Sequence, residues 1–156
     1  MQDKMDALMT SLLRASRALV GVSVRALADV EDTVTLTQFR TLVVLDRHER
    51  TTLAELAGGL GVNVSTAQRQ VDRLVSLGLV HRRENPHDRR QVILSLSSQG
   101  GDLVRGVNER RRVVIAGIVA GMPSREHGVL VHALEAFAVA AGEPEELMSG
   151  AARYGW

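Results

Sequence analysis

Two groups of polar side chains carry the chemistry this sequence can offer. The first lies in residues 63–78, NVSTAQRQVDRLVSLG. A helical repeat there turns Ala67, Val71, Leu74 and Leu77 inward and Ser65, Thr66, Gln68, Arg69, Asp72, Arg73 and Ser76 outward. A glutamine amide matches the donor–acceptor pair on the major-groove edge of adenine, and an arginine fork matches guanine, which makes Gln68 and Arg69 candidate base readers. Ser65 and Thr66 at the helix start can bind phosphate or a base edge, and Arg73, further along, suits phosphate. The second group lies in residues 79–97, LVHRRENPHDRRQVILSLS, with Arg82 and Arg83 before a polar tip and Arg89 and Arg90 after it. A narrow minor groove attracts an inserted guanidinium, so Arg89 and Arg90 are candidate minor-groove contacts. Between Val62 and Arg90 six arginines stand against three acids, in a chain of formal net charge only +1. The basic character is local.

A polar helix face alone is an ordinary solvated surface. What makes this one a candidate reading head is the set of elements that must hold it. Thr52-Leu53-Ala54-Glu55 has capping-box spacing and starts a short helix with Leu53, Leu56, Ala57 and Leu60 inward, ended by Gly61 in a left-handed conformation. Asn63 then caps the polar helix, and Gly78 stops it. Residues 79–83 and 91–96 alternate like two strands, broken apart by Asn85-Pro86-His87-Asp88. Upstream, Thr35-Leu36-Thr37-Gln38 repeats the capping box and starts a helix with Phe39, Leu42, Val43 and Leu45 inward.

Long amphipathic helices flank this unit. Met5, Leu8, Leu12, Ala15, Leu19 and Val22 mark one from about residue 3 to 29. Ser97 caps a fifth helix carrying Leu103, Val107, Val114 and Ile118, and Pro123 opens a sixth with Leu130, Leu134 and Phe137 expected inside. The fold class is thus mainly α with a small β-hairpin wing, a winged helix-turn-helix plus a helical region. We expect the winged unit at residues 35–97 and a helical dimerisation region from residues 1–34 and 98–142. The tail, 143–156, offers Tyr154 and Trp156 to a partner chain. The flanking helices need apolar surface to bury against, and a second subunit supplies it.

The run Asn85-Pro86-His87-Asp88-Arg89-Arg90, then alternating Val92, Leu94 and Leu96, then Ser97 and Gly100, resembles the wing and exit of the MarR family of transcription regulators. That pattern is Asp-x-Arg leading to Leu-Thr-x-x-Gly, with Ser97 here in place of threonine. The resemblance covers about residues 5 to 141. It implies a triangular homodimer interlocked through the first, fifth and sixth helices. Its two wings would grip a pseudo-palindromic operator in double-stranded DNA, most often as a repressor. It also implies that Arg90 is the minor-groove arginine and that Asp88 braces the wing through an arginine, with Arg82 and Arg83 nearest in sequence. Relatives of this kind often bind small amphipathic effectors. Arg14, Arg17 and Arg25 can meet an anionic one and Phe39 can wall it, against the plainer reading that the arginines are solvated or pair with Asp29, Glu31 or Asp46.

Other chemistries find little support. With no cysteine, disulfides and thiolate sites are excluded. His127 and His132 are five apart, off a shared helix face, and no carboxylate motif completes a zinc site, so no metal is expected. Gly58-Gly59-Leu60-Gly61 lacks the Gly-Lys-Ser/Thr of a phosphate loop, and no Gly-x-Ser-x-Gly element occurs. We expect no enzyme, no cofactor, no signal peptide and no run approaching membrane-spanning length, hence a cytoplasmic protein without a membrane partner. The competing reading is a winged-helix module that binds another protein, since fold alone does not fix function. Non-specific chromosome binding is disfavoured by the near-neutral charge.

Overall fold

The computed structural model describes residues 2–30 and 33–142. Glu31 and the tail with Tyr154 and Trp156 lie outside the described residues. The elements run α1 (Gln2–Leu27), a single 3-10 turn (Ala28–Val30), α2 (Leu36–Asp46), β1 (Thr51–Thr52), α3 (Leu53–Leu60), α4 (Val64–Ser76), β2 (Val80–Asn85), β3 (Asp88–Leu96), α5 (Ser98–Ala120) and α6 (Ser124–Ala140). They divide into two compact units, residues 27–107 and a second built from residues 1–26 with 108–156.

In the unit of residues 27–107, local chemistry sets every helix start. Thr35 accepts from the Gln38 N–H while the Gln38 side chain accepts from the Thr35 N–H, and Thr52 and Glu55 repeat the exchange at α3. The Glu55 carboxylate collects the Thr52 N–H at 2.7 Å and both the Thr52 and Thr51 hydroxyls, which hold its pKa below the usual carboxylate range. Gly61 ends α3 at φ 67°, a conformation that other residues adopt only with strain. Phe39, Leu42, Leu56, Leu60, Val71 and Leu74 bury the facing sides of α2, α3 and α4.

The sheet has order β1-β3-β2, all antiparallel. β1, which pairs Thr51 with Leu94 and Thr52 with Ile93, was not expected. Two residues show no alternation, and Thr52 reads from sequence only as a helix cap. Both hairpin strands also run nearer the tip than residues 79–83 and 91–96 suggested, because Asn85 pairs with Asp88 and leaves only Pro86 and His87 to turn. Ser97 then joins the wing to α5, donating its hydroxyl to the Gly78 carbonyl at 2.7 Å and accepting the Gly100 N–H at 3.0 Å.

The other unit contains α1 to Ala26, α5 from Asn108, and α6. The Arg110 guanidinium donates to the Ala26 carbonyl at 2.9 Å, near the C-terminus of α1 where a cation is favoured. Leu134 and Phe137, expected inside, are 49% and 54% exposed, and Met5, Leu8 and Leu19 are also open. The helical period marks an apolar face correctly, but the described residues leave it largely open. By length and composition residues 2–30 suffice to cross a bilayer, which corrects the expectation that no run approaches that length. Arg14 and Arg17 lie near the middle of that segment, where each charge would cost about 3 kcal/mol in hydrocarbon.

Asn108 is 3% exposed, and neither end of its amide has a hydrogen-bond partner among the described residues. A buried amide left unbonded is destabilising, and an apolar side chain of similar size removes the penalty. Asn108→Leu is therefore expected to raise the melting temperature by roughly 2–4 °C, as read by circular dichroism. A fall would mean that an internal water satisfies the amide.

Candidate nucleic-acid interface

The reading helix α4 starts where Asn63 accepts both the Thr66 N–H and the Ser65 hydroxyl at 2.8 Å. This cap leaves Ser65 exposed at the first turn with its hydroxyl directed to Asn63. Arg69 and Arg73 are exposed, whereas Thr66 and Gln68 are half-buried. The Arg69 guanidinium leans back to the Thr66 hydroxyl at 3.5 Å. The Gln68 amide donates to Asp72 Oδ1 at 2.8 Å. Its orientation is thereby fixed, and its remaining N–H and carbonyl stay available to a base edge.

Asp72 does more than the sequence suggested. The same Oδ1 takes a hydrogen bond from Arg82 of β2 at 2.5 Å, so one carboxylate ties the reading helix to the root of the wing. The sequence left open which arginine meets Asp88, with Arg82 and Arg83 the nearest candidates. In the structure Asp88 Oδ1 accepts the Arg90 N–H at 3.0 Å, and Arg82 is held by Asp72. The reason is placement. In the antiparallel register Arg82 stands opposite Leu94, whose side is buried, and Arg83 stands opposite Ile93. Alternation sends Arg82 toward the core and α4, and Arg83 to the other face. The available signal in the sequence was an acid four residues after Gln68 on an otherwise basic face.

At the tip, the His87 N–H bonds to Asn85 Oδ1 at 3.0 Å. The register passes from Glu84 opposite Val92 to Asn85 opposite Asp88, so Arg89, Arg90 and Gln91 form an irregular, bulged run in β3. Bulges re-aim side chains. Both arginines are exposed there rather than in the loop expected of them. Of the effector candidates, Arg14, Arg17 and Arg25 are exposed on α1 in one unit, while Phe39 is 3% exposed in the core of the other. Phe39 is thus occupied by packing in its own unit. Among the described residues no cluster of three His, Asp or Glu side chains could hold a metal ion.

The hydrogen bonds from Arg82 and Gln68 favour the ionised Asp72, so its pKa lies below the usual carboxylate range. A depressed carboxylate stabilises the fold above its unfolded pKa near 4, and the contribution disappears as pH falls through the folded value. Thermal melts of the wild type and Asp72→Asn are therefore expected to differ at neutral pH and to converge once the pH has fallen below the usual carboxylate range and through the lowered Asp72 value. The Glu55 titration is common to both proteins and cancels. A gap that persists in acid would remove the ion pair as its source.

The MarR family profile matches residues 34–92. The multiple antibiotic resistance protein MarR of Salmonella typhimurium is 31% identical over 77 residues, 49% of this chain and 54% of that protein. The chain spans about half the length of the first curated relatives it matches. RV1404 from Mycobacterium tuberculosis has 46% identity and a TM-score of 0.82, over 90% of this chain and 95% of that one. FabT of Streptococcus pneumoniae, solved in complex with DNA, shares the fold at a TM-score of 0.72 and 20% identity, over 92% of this chain and 99% of that one. Carrying a winged helix-turn-helix on the matched residues and a 46% identical relative alike over nearly its whole length, the chain belongs to the MarR family.

Proposed function

We propose that the protein is a homodimeric transcription regulator, a repressor by family analogy, that binds a pseudo-palindromic operator. Residues 35–97 read the DNA, residues 1–34 and 98–142 form the dimer, and the protein acts in the cytoplasm without catalysis. The observation that carries the reading is the joint placement of α4 and the wing. Arg69 and Arg73 stand exposed on the helix, Arg89 and Arg90 stand exposed on the hairpin, and Asp72 ties the helix to the hairpin's root. An α-helix fits the major groove while a wing reaches the adjacent minor groove, so one rigid unit engages both. FabT, of the same fold, was solved with DNA, which supports the mode. Ser65, Thr66 and Gln68 complete the helix contacts in this reading, and Arg14 and Arg17 are offered to an anionic effector.

Selection of bound fragments from the source genome tests the proposal. Enrichment of an inverted repeat with half-sites about 34 Å apart is the expected outcome, since two-fold symmetry places the two α4 helices in successive major grooves. On that repeat Arg90→Ala should weaken binding and make its salt dependence shallower by about two units of slope, one from each protomer's wing. Fragments recovered only at background would overturn the reading in favour of a protein partner.

A further inference from the structure

We infer that the hydrogen bond between Thr41 of α2 and Gln70 of α4 sets the rotation of the reading helix about its own axis and so governs sequence discrimination. The inference rests on the DNA-reading role proposed above.

Apolar contacts are non-directional. The buried stripe of α4, Ala67, Val71 and Leu74, seats the helix but resists rolling weakly. Rolling matters at the tips of the reading side chains. At a radius of about 5–6 Å, a roll of about 10° moves a side chain by ~1 Å. A bidentate contact to a base tolerates about half that displacement.

Two polar ties hold the flanks against such a roll. At 100° per residue Gln70 falls some 60° to one side of the buried stripe, and Asp72 falls on the other side. On the far flank Arg82 grips Asp72. On the near flank the Thr41 hydroxyl lies 2.7 Å from Gln70 Oε1. Each bond joins α4 to a different element, α2 on one side and β2 on the other, and a pair of directional ties on opposite sides opposes rotation.

Thr41 is 0% exposed, and the Thr37 carbonyl of its own helix lies 3.1 Å from the same hydroxyl. That local bond would satisfy the single hydroxyl proton without any partner on α4. The shorter contact to Gln70 is therefore not required to solvate Thr41. It is a directional link between two helices whose packing a valine would fill equally well.

The test is a selection from a pool of randomised duplexes at one salt concentration, using the full-length wild type, Thr41→Val and Thr41→Ser. The Kd on the duplex enriched by the wild type is then compared with the Kd on a scrambled duplex. Thr41→Val is expected to lose about tenfold of that ratio, equivalent to roughly 1.4 kcal/mol. Its affinity for scrambled DNA and its salt slope should stay at wild-type values, because phosphate contacts tolerate a small roll. Thr41→Ser, which keeps the hydroxyl, should retain the wild-type ratio. Gln70→Ala removes the other partner from a half-buried position, and the same loss is expected there should Thr41→Val not fold. A purely structural bond would lower the melting temperature and leave the ratio unchanged, which would overturn the inference while the DNA-reading role stands. A wild type that enriches no duplex would overturn both.

Discussion

Gly100→Ala is expected to destabilise the protein by about 3 kcal/mol, read as a lower denaturant midpoint at unchanged slope. A Cβ at this position would lie 2.2 Å from the Leu79 carbonyl oxygen and 3.4 Å from a methyl of Leu96. Real Cβ atoms never approach backbone oxygen so closely, so something must move, and little there is free to do so. The Leu79 carbonyl accepts the Ser97 N–H at 3.0 Å, and the Leu79 N–H is bonded to the Leu74 carbonyl. The Gly100 N–H is itself the donor that Ser97 caps. The sign opposes helix propensity, which favours alanine over glycine by about 1 kcal/mol. Gly58, on α3 with nothing within 4 Å of its would-be Cβ, is the control. Gly58→Ala is expected to be neutral or stabilising by up to about 1 kcal/mol. If the two substitutions behaved alike, close approach of α5 to the start of β2 would not be what Gly100 serves.

Gly100 also shows where sequence reading ends. As part of the wing exit its position was legible, but the carbonyl it faces was not, because Leu79 reaches it only through folding. Features set within four residues were readable: both capping boxes, the Asn63 cap, the left-handed Gly61 and the inward stripe of α4. Features set by pairing were not. β1 joins the sheet through partners more than forty residues away, and the bulge that carries Arg89 and Arg90 is a property of register. Arg82 chose Asp72 over Asp88 because strand alternation, invisible until the register is known, pointed it at α4. Arg110 interrupts the apolar period of α5 for a carbonyl on α1, 84 residues earlier in the chain. For Leu134 and Phe137, the periodicity located the apolar face and could not say which surface covers it.

That uncovered face carries the second large expected effect. Leu134→Glu with Phe137→Glu should convert the protein to a monomer and lower its affinity for an inverted repeat by at least about 100-fold. Val131, Leu134 and Phe137 recur three apart on α6 and are each about half exposed. Each large apolar side chain contributes about 1.5–3 kcal/mol when fully buried. In a two-fold interface every substitution counts twice, and a carboxylate placed there adds desolvation to the lost burial. A penalty on the order of 5 kcal/mol raises the dimer dissociation constant by roughly three to four decades. Neither residue is near α4 or the wing in sequence, and both lie in the other compact unit, so half-site binding should survive. What disappears is the tether that makes the second half-site an intramolecular event. Light scattering should give about twice 16.9 kDa for the wild type and the single mass for the variant. A variant that remains dimeric would move the interface off α6, with α1 and its exposed Met5, Leu8 and Leu19 the next surface to test. A wild type that is already monomeric would instead remove the dimer from the proposed function, and with it the reason to expect an inverted repeat.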